Sequence, residues 1–289
     1  MESTDDISHR DYTRLSELIY NECGIKMPPA KKAMLVARLQ KRLRSLDMKS
    51  FGDYIDYLFA PDGIKDELVR MIDLITTNKT DFFREPDHFD YLLQWVLPEW
   101  SQKHGGCGKK LMLWSAGCST GEEPYTLAMV LNEFAVSCPG FDYQILATDI
   151  STRVLEKAEQ AVYDEERIAP VPSSLRHKYL LRSKDKSRGL VRVVPGLREK
   201  VRFRRLNFMD GNFGMREPMD IIFCRNVIIY FDQSTQERLL NKFYTHLTKD
   251  GFIFMGHSET LNGLDVSLVM VHPTVYRKIT DKPLAVINT

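Results

Sequence analysis

The sequence predicts an α/β protein in which helices flank a parallel sheet of the Rossmann type. A small all-helical domain precedes the sheet, and a small antiparallel β insertion interrupts it. From residue 111 onward, short apolar runs alternate with helical patterns, which is typical of parallel strands joined by helices. Before that point the apolar residues have helical spacing, and a β-prone stretch with several prolines at about 168–205 breaks the later alternation.

The composition indicates a folded protein of two parts whose charge is nearly balanced. The 289 residues are 43% hydrophobic and 27% charged, and the length fits a large domain plus a smaller one. A net charge of +1 gives no overall attraction to nucleic acid or to a membrane. Five scattered cysteines without CxxC spacing favour neither a disulfide framework nor a zinc site. Without a secretory signal or a membrane-spanning apolar stretch, we expect a cytoplasmic protein that uses no metal.

The helical domain is predicted at residues 1–75. A helix over 31–46 has an apolar stripe made of Leu35, Leu39, Leu43 and Leu46. Ser50 can cap a second helix, the sequence Pro-Asp-Gly at 61–63 breaks the pattern, and a third helix is expected over 67–75. Short amphipathic helices of this kind can form a bundle.

A linker is predicted at 76–90, before a large domain at 91–289. Residues 76–85 are mostly polar, but Phe82 and Phe83 among them indicate that the segment is anchored against another part of the chain. A helix over 88–100 and a Gly- and Lys-rich loop over 103–110 are expected next.

The large domain is predicted to contain five strands and three helices in alternation. The strands are expected at 111–115, 143–148, 201–206, 220–224 and 251–256, and the helices at 121–134, 151–161 and 233–247. The run 275–279 could add an edge strand. The β insertion at about 168–205 is rich in arginine and therefore locally basic.

An adenosyl-ligand site is predicted where the first two strands end. Gly117 and Gly121 allow a tight turn after the first strand, and Glu122 and Glu123 open the following helix. Asp149 ends the second strand, where a carboxylate can accept hydrogen bonds from both ribose hydroxyls. Two acids repel a pyrophosphate but attract the ammonium of a methionine moiety, which favours S-adenosylmethionine over NAD. A structural glycine turn with solvated acids is the alternative.

Four segments resemble the signature of the CheR family, the glutamate methyltransferases of chemotaxis receptors. They read TNKTDFFRE at 77–85, STGEEPY at 119–125, ATDI at 147–150 and CRNVIIYF at 224–231. The resemblance covers nearly the whole chain, with its helical domain, linker, methyltransferase domain and β insertion. It implies transfer of a methyl group from S-adenosylmethionine to glutamate side chains of the receptor, giving methyl esters and S-adenosylhomocysteine.

The resemblance also implies the residues of the site, with the linker folded over the cofactor. The implied cofactor contacts are Asn78, Thr80 and Arg84 in the linker, Ala116 and Gly117 at the methionine end, Glu123 at the amino group, Asp149 at the ribose, Asn207 and Phe208 at the adenine, and Arg225 and Asn226 closing the site. Glu122 is the alternative to Glu123, because the helix register is open. Arg84 and Tyr230 are implied to handle the substrate carboxylate.

The implied reaction needs alignment more than acid–base chemistry. A glutamate side chain, with an ordinary pKa of about 4.3, is ionised near neutral pH, so no general base is required. A tight salt bridge from Arg84 would stabilise the ground state and slow the transfer. We therefore expect a loose contact from Arg84 and one orienting hydrogen bond from Tyr230. A surface ion pair for Arg84 and a core position for Tyr230 are the alternatives.

Two surfaces are expected to meet the receptor. The helix over 31–46 carries Lys31, Arg38, Lys41, Arg42 and Arg44, and in the resembled family this helix faces the acidic methylation region of the receptor. A solvated face is one alternative, and DNA binding is another that no recognised motif supports. The β insertion docks a carboxyl-terminal receptor peptide in some family members and not in others. On this interpretation the protein reaches a membrane only through its receptor and does not bind nucleic acid.

Two other functions are compatible with the sequence patterns. One is a methyltransferase of the same fold that acts on another substrate, and the other is a non-catalytic scaffold that binds S-adenosylmethionine. A monomer is expected, since no coiled-coil seam is present.

Overall fold

The computed structural model describes residues 6–104 and 109–279. Its amino-terminal part is a helical domain made of α1 His9–Cys23, α2 Lys32–Ser45, α3 Phe51–Phe59 and α4 Pro61–Ile75. The sequence patterns do not predict α1. Ser8 and Ser50 cap α1 and α3 by accepting hydrogen bonds from the backbone N–H groups of Asp11 and Asp53. The stripe of α2 is buried at Leu35, Leu39 and Leu43, as predicted, whereas Leu46 is half-buried just beyond the helix.

The helix predicted at 67–75 begins earlier, at Pro61. Proline is favoured in the first turn of a helix because it lacks only an N–H that would have no partner there. The segment 61–63 is therefore the first turn of α4, and only Ala60 lies between α3 and α4. Gly63 allows the two helices to approach closely, since a Cβ at this position would lie 1.9 Å from the carbonyl oxygen of Tyr57.

A long interrupted helix leads from the linker to the sheet. It consists of α5 Asp87–Tyr91 and α6 Leu97–Lys103, joined by a π-helical turn at Leu92–Val96, and it includes the helix predicted at 88–100. Of the loop predicted at 103–110, residues 105–108 lie outside the described residues. Within the described parts of the chain, no helix is both long and apolar enough to cross a membrane.

The described residues after 108 contain ten strands and five further helices. The strands are β1 Lys110–Ala116, β2 Asp142–Asp149, β3 Val162–Asp164, β4 Leu180–Arg182, β5 Leu190–Val193, β6 Val201–Arg205, β7 Met219–Cys224, β8 Leu247–Met255, β9 Leu268–His272 and β10 Val275–Lys278. The helices are α7 Glu122–Ser137, α8 Thr152–Gln160, α9 Ser173–Tyr179, α10 Pro195–Arg198 and α11 Gln233–His246.

The main sheet has seven strands in the order β6-β2-β1-β7-β8-β10-β9. The pairs from β6 to β8 are parallel, and β10 pairs antiparallel with both β8 and β9. The five predicted strands and the predicted fold class are confirmed. The edge strand expected at 275–279 is wrong in position, because β10 lies inside the sheet and β9, which the sequence did not predict, forms the edge.

The β insertion is a three-stranded antiparallel sheet in the order β3-β5-β4. Its first strand starts at residue 162, before the expected boundary at 168. The expected range to 205 also contains β6, which pairs with β2 and belongs to the main sheet. β6 is the strand predicted at 201–206 of the main sheet, so the two predicted ranges overlap there, whereas β3 lies outside the predicted insertion.

The winding of the main sheet places a crevice above β1. The chain passes from β1 to β2 on one side, while β7 lies on the other side of β1. Ligands of open parallel sheets bind at such a reversal, beyond the carboxyl ends of the strands. Trp114 of β1 is fully buried beneath this region and packs edge-on against Phe243, with ring centroids 5.0 Å apart.

Candidate functional site

A cavity of about 300 Å³ lies between the helical domain and the carboxyl ends of β1, β2 and β7. The predicted site residues that line it are Asn78, Thr80, Arg84, Gly117, Glu123, Asp149, Asn207, Phe208, Arg225, Asn226 and Tyr230. The opposite wall, which the sequence did not predict, comes from the helical domain and contains Cys23, Ile25, Met27, Lys31, Met34 and Ile75. These residues come from separate helices and loops, so no local pattern could indicate that they meet.

The turn after β1 depends on its two glycines. Gly117 has a φ of +86°, and a Cβ there would lie 2.5 Å from Cγ2 of Val227. Gly121 has a φ of +96°, and a Cβ there would lie 2.8 Å from the hydroxyl oxygen of Tyr163. The turn therefore requires glycine for both backbone conformation and space.

Ala116 does not line the cavity. Its side chain is 1% exposed and packs in the same hydrophobic core as Trp114. β1 continues through residue 116, and the alternation of the strand turns the methyl group into the core, so a contact from Ala116 at the methionine end would have to come from its backbone. Gly117, one position later, reaches the cavity.

The structure separates the roles of the two acids that open α7. Glu123 lines the cavity, and its carboxylate accepts hydrogen bonds from Oγ of Ser115 at 2.7 Å and from Nε of Arg225 at 2.8 Å. Glu122 is buried away from the cavity, where it accepts hydrogen bonds from Oγ1 of Thr120 and from Arg167. Of the two, Glu123 is thus the acid available to a ligand.

Asp149 is held in place by the backbone at the end of β2. Its Oδ2 accepts a hydrogen bond from the N–H of Ser119 at 2.9 Å, and its Oδ1 accepts one from the N–H of Ser151 at 3.0 Å. Burial raises the pKa of this carboxyl group, and the backbone hydrogen bonds act in the opposite direction. Each oxygen retains a lone pair that can face the cavity.

The segment 76–85, here called the strap, covers one side of the cavity without regular secondary structure. Side chains from distant parts of the chain hold its carbonyl groups. Arg38 donates to the carbonyl of Thr76 at 3.1 Å, Ser119 to that of Asn78 at 2.9 Å, Arg167 to that of Thr80 at 3.2 Å and Arg225 to that of Arg84 at 2.6 Å. The strap is therefore fixed largely through backbone atoms.

The two phenylalanines of the strap anchor it as predicted. Phe82 is 1% exposed, and Phe83 packs edge-on against Phe89 with ring centroids 5.6 Å apart. The N–H of Phe83 also donates to Oγ1 of Thr126 on α7 at 3.2 Å. The anchors therefore pack in the core of the large domain while the polar residues of the strap line the cavity.

Arg225 is a buried link between the strap, α5 and α7. Besides Glu123 and the carbonyl of Arg84, its Nη1 lies 3.2 Å from Nδ1 of His88. Burial, and then the charge of Arg225, lowers the pKa of His88 to about 3. His88 is therefore neutral, so Nδ1 accepts from Arg225 while Nε2 donates to Oγ1 of Thr274 at 2.8 Å.

Glu259 supports one loop of the cavity and was not predicted from the sequence. Its carboxylate, 3% exposed, accepts hydrogen bonds from the N–H groups of Asn226, Val227, Ile228 and Gly256 at 2.7–2.9 Å. These bonds fix the loop after β7, in which Asn226 has a φ of +59°. An acid near the carboxyl end of a strand, as for Asp149, is the signal that could have indicated it.

The residues expected at the adenine have structural partners as well. Asn207 accepts a hydrogen bond from the N–H of Met209 at 3.0 Å and donates to the carbonyl of Glu22 at the end of α1. Phe208 packs edge-on against Phe243, with ring centroids 5.6 Å apart. Both line the cavity, and Asn207 also joins the helical domain to the sheet.

Arg84 and Tyr230 both reach the cavity with few internal constraints. Nη1 of Arg84 donates to the carbonyl of Lys79 at 3.1 Å. Among the described residues, no hydrogen-bond partner is present for the hydroxyl of Tyr230, and Nζ of Lys31 lies 5.5 Å from the centre of its ring. Within the part of the chain that the structure describes, Arg84 forms no ion pair, and Tyr230 is half-buried at the cavity and not in the core.

The basic face of α2 is divided into two kinds of residue. Lys41 and Arg44 are exposed. Arg38 holds the start of the strap, and Arg42 forms an ion pair at 2.6 Å with Glu67, which is 1% exposed. Of the five predicted basic residues, Arg38 and Arg42 have structural partners in the helical domain and the strap, Lys31 lines the cavity, and Lys41 and Arg44 are exposed.

Ligand atoms of Glu85, His88 and His257 lie within 4.8 Å of one another. The guanidinium of Arg225 is already beside two of them, 3.5 Å from Oε2 of Glu85 and 3.2 Å from Nδ1 of His88. A bound metal ion would be repelled by this buried charge, so the donor set does not favour a metal.

The chain is similar to known proteins along nearly its whole length. Residues 10–76 match the family described as the all-alpha domain of CheR methyltransferases, and residues 78–276 match their SAM binding domain, SAM being S-adenosylmethionine. A chemotaxis protein methyltransferase of Borreliella burgdorferi is 40% identical over 274 residues, which cover 94% of this chain and 95% of that protein. One of Escherichia coli K12 is 38% identical over 270 residues, which cover 93% and 91%.

Proposed function

The chain belongs to the CheR methyltransferase family, and we propose that it methylates glutamate side chains of chemotaxis receptors in the cytoplasm. It is an S-adenosylmethionine-dependent methyltransferase. The products of the proposed reaction are a glutamate methyl ester and S-adenosylhomocysteine. The observation that supports this proposal most is the convergence of the glycine turn, Glu123, Asp149 and the strap on one cavity.

The cavity offers a complementary group for each part of the cofactor. Asp149 would accept hydrogen bonds from the ribose hydroxyls through the lone pairs that the backbone leaves free. Glu123 would bind the amino group, with Arg225 holding the carboxylate in position from its other side. Asn207 and Phe208 would flank the adenine. The remaining predicted contacts, from Asn78, Thr80, Arg84, Gly117 and Asn226, would close the cavity around the methionine end and the sulfonium.

The residues of the chain act on the substrate by orientation. Bound S-adenosylmethionine supplies an electrophilic methyl group. The substrate carboxylate is already ionised near neutral pH, so the transfer needs no general base. Tyr230 has a hydroxyl that is free to orient the carboxylate, and Arg84 contributes a charge at the same cavity. Positioning of this kind can contribute roughly 7–11 kcal/mol to lowering a barrier.

We place the receptor-facing charge of α2 on Lys41 and Arg44. Both are exposed, whereas Arg38 and Arg42 act first within the protein. A Lys41→Glu/Arg44→Glu variant should lose receptor methylation at low salt while binding the cofactor normally, and raising the salt concentration should reduce the difference from wild type. The exposed Lys157→Glu on α8 is the matched control. Equal methylation by the two variants would contradict this assignment.

The β insertion is the proposed site for a carboxyl-terminal peptide of the receptor. Strands β3 and β4 are the two edges of its sheet, and Leu181 on β4 is 52% exposed. An extended peptide could add a strand at such an edge. Calorimetry with a free receptor peptide measures this directly, and an absence of heat at high peptide concentration would exclude it.

A base-lability assay distinguishes the proposed function from its alternatives. The protein is incubated with methyl-labelled cofactor and a receptor cytoplasmic fragment, and the product is treated with base. Release of the label as volatile methanol identifies a carboxyl methyl ester. Label that resists base indicates another acceptor, as expected for a methyltransferase with a different substrate, and absence of transfer leaves a cofactor-binding scaffold.

A further inference from the structure

The segment that enters the β insertion contacts the strap from its outer side. This segment consists of β3 and the 3-10 turn Glu165–Ile168. The ring of Tyr163 packs edge-on against Phe82, with centroids 4.9 Å apart, and its hydroxyl donates to the carbonyl of Thr120 at 2.8 Å. Nη2 of Arg167 donates to the carbonyl of Thr80 at 3.2 Å. The insertion is therefore in direct contact with the cover of the cofactor cavity.

Arg167 also pairs with the buried acid that does not reach the cavity. The same Nη2 donates to the carboxylate of Glu122, which is 1% exposed and accepts a second hydrogen bond from Thr120 at 2.6 Å. A buried carboxylate needs such a partner. Arg167 can therefore have one of two roles. Either it only neutralises the charge of Glu122, or the ion pair with Glu122 fixes Arg167 in a position from which it holds the strap.

We propose that Arg167 is a positioning residue that holds the strap closed over S-adenosylmethionine, so that the β insertion forms part of the cofactor site. This inference rests on the proposed function in one respect, because it takes the cavity to be the S-adenosylmethionine site. The strap has no regular structure of its own, so each tether to a carbonyl raises the fraction of molecules in which the strap is closed. Apparent affinity falls in proportion to that fraction.

The main variant is Arg167→Met, which keeps the length of the side chain and removes its donors. We expect cofactor affinity to fall about tenfold, which corresponds to about 1.4 kcal/mol. The rate at saturating cofactor should stay within about twofold of wild type, because Arg167 does not line the cavity. Arg167→Lys should recover part of the affinity. Arg182→Met is the matched control, since Arg182 lies in the same insertion and pairs with Glu165 at 2.9 Å, and it should bind the cofactor like wild type.

A second pair of variants separates the two roles. Glu122→Gln removes the buried charge, but its amide oxygen can still accept a hydrogen bond from Arg167 and so keep Arg167 in place at the carbonyl of Thr80; this variant should bind the cofactor normally. Glu122→Gln/Arg167→Met removes both charges. If Arg167 holds the strap, the double variant stays about as weak as Arg167→Met.

Calorimetry with S-adenosylmethionine and S-adenosylhomocysteine measures the affinities that distinguish the two roles of Arg167. Recovery of wild-type affinity in the double variant, or unchanged affinity in Arg167→Met, would overturn the inference. Receptor methylation by the wild-type protein is measured separately. If the wild type binds the cofactor but methylates no receptor, the proposed substrate fails, while this inference is still decided by the affinities.

Discussion

Because His88 is neutral in the folded protein, the free energy of unfolding should depend on pH by an amount that follows from the pKa of His88. His88 is 1% exposed, and its Nδ1 accepts a hydrogen bond from Nη1 of Arg225 at 3.2 Å. A proton on Nδ1 would place two positive charges together in the core. For this reason the folded protein should keep His88 neutral until the pH approaches about 3, compared with an ordinary pKa of 6.5.

The free energy of unfolding should therefore fall as the pH falls. Below pH 6.5 the unfolded chain takes up a proton at His88 that the folded protein does not, so the stability contributed above the unfolded pKa is lost toward acid pH. At about pH 5 the loss is RT ln(1 + 10^1.5), or about 2 kcal/mol. The figure depends on the unfolded pKa alone as long as the folded pKa stays well below 5.

His88→Asn isolates this contribution. The asparagine oxygen can still accept from Arg225, but the side chain does not titrate. Chemical denaturation of both proteins at about pH 7.5 and pH 5 should show a loss about 2 kcal/mol larger in the wild type. In NMR spectra, the His88 imidazole signal is the one that the variant lacks. In the wild type this signal should not shift between about pH 7.5 and pH 5, the range used for denaturation. A wild-type midpoint near 6.5, or equal losses of stability, would refute the reasoning.

Three further substitutions test other parts of the site. Glu259→Gln places an amide group against two of the four buried N–H donors, so it should lower the free energy of unfolding by about 2–6 kcal/mol in chemical denaturation. The exposed control Glu199→Gln should lower it by less than about 0.5 kcal/mol. Equal stabilities of the two variants would argue against a structural role of the carboxylate. Gly117→Ala should weaken cofactor binding in calorimetry by about tenfold or more, because its φ is +86°. Gly211→Ala, with nothing within 4 Å of its Cβ, should leave binding unchanged, and similar affinities for the two variants would count against the turn. Tyr230→Phe should lower the methyl-transfer rate more than about twofold without changing cofactor affinity; a smaller loss would remove its orienting role.

The alternation of strands and helices was predictable because it depends on local periodicity. β7 is buried at every position, as a central parallel strand should be, and its apolar run is plain in the sequence. The glycine turn was predictable for a similar reason, since Gly117 and Gly121 follow a strand directly. The bounds of the β insertion were less predictable, because membership of a sheet depends on pairing with strands that are far away in the chain.

The parts of the site that the sequence did not predict depend on contacts between distant segments. Glu259 serves a loop that lies more than 30 residues before it, and the helical domain supplies a wall that no motif indicates. Arg38 and Arg42 look equivalent to Lys41 and Arg44 on a basic helix. Only the packing of α2 against α4 and the strap gives them different partners.

The central claim is that glutamate side chains of a chemotaxis receptor accept the methyl group. The most direct measurement is peptide mass mapping of a receptor cytoplasmic fragment after incubation with the protein and S-adenosylmethionine. The predicted result is methylation confined to glutamate side chains and removed by base. Methylation of lysine, arginine or another base-stable acceptor, or an unmodified fragment alongside measurable cofactor binding, would contradict it.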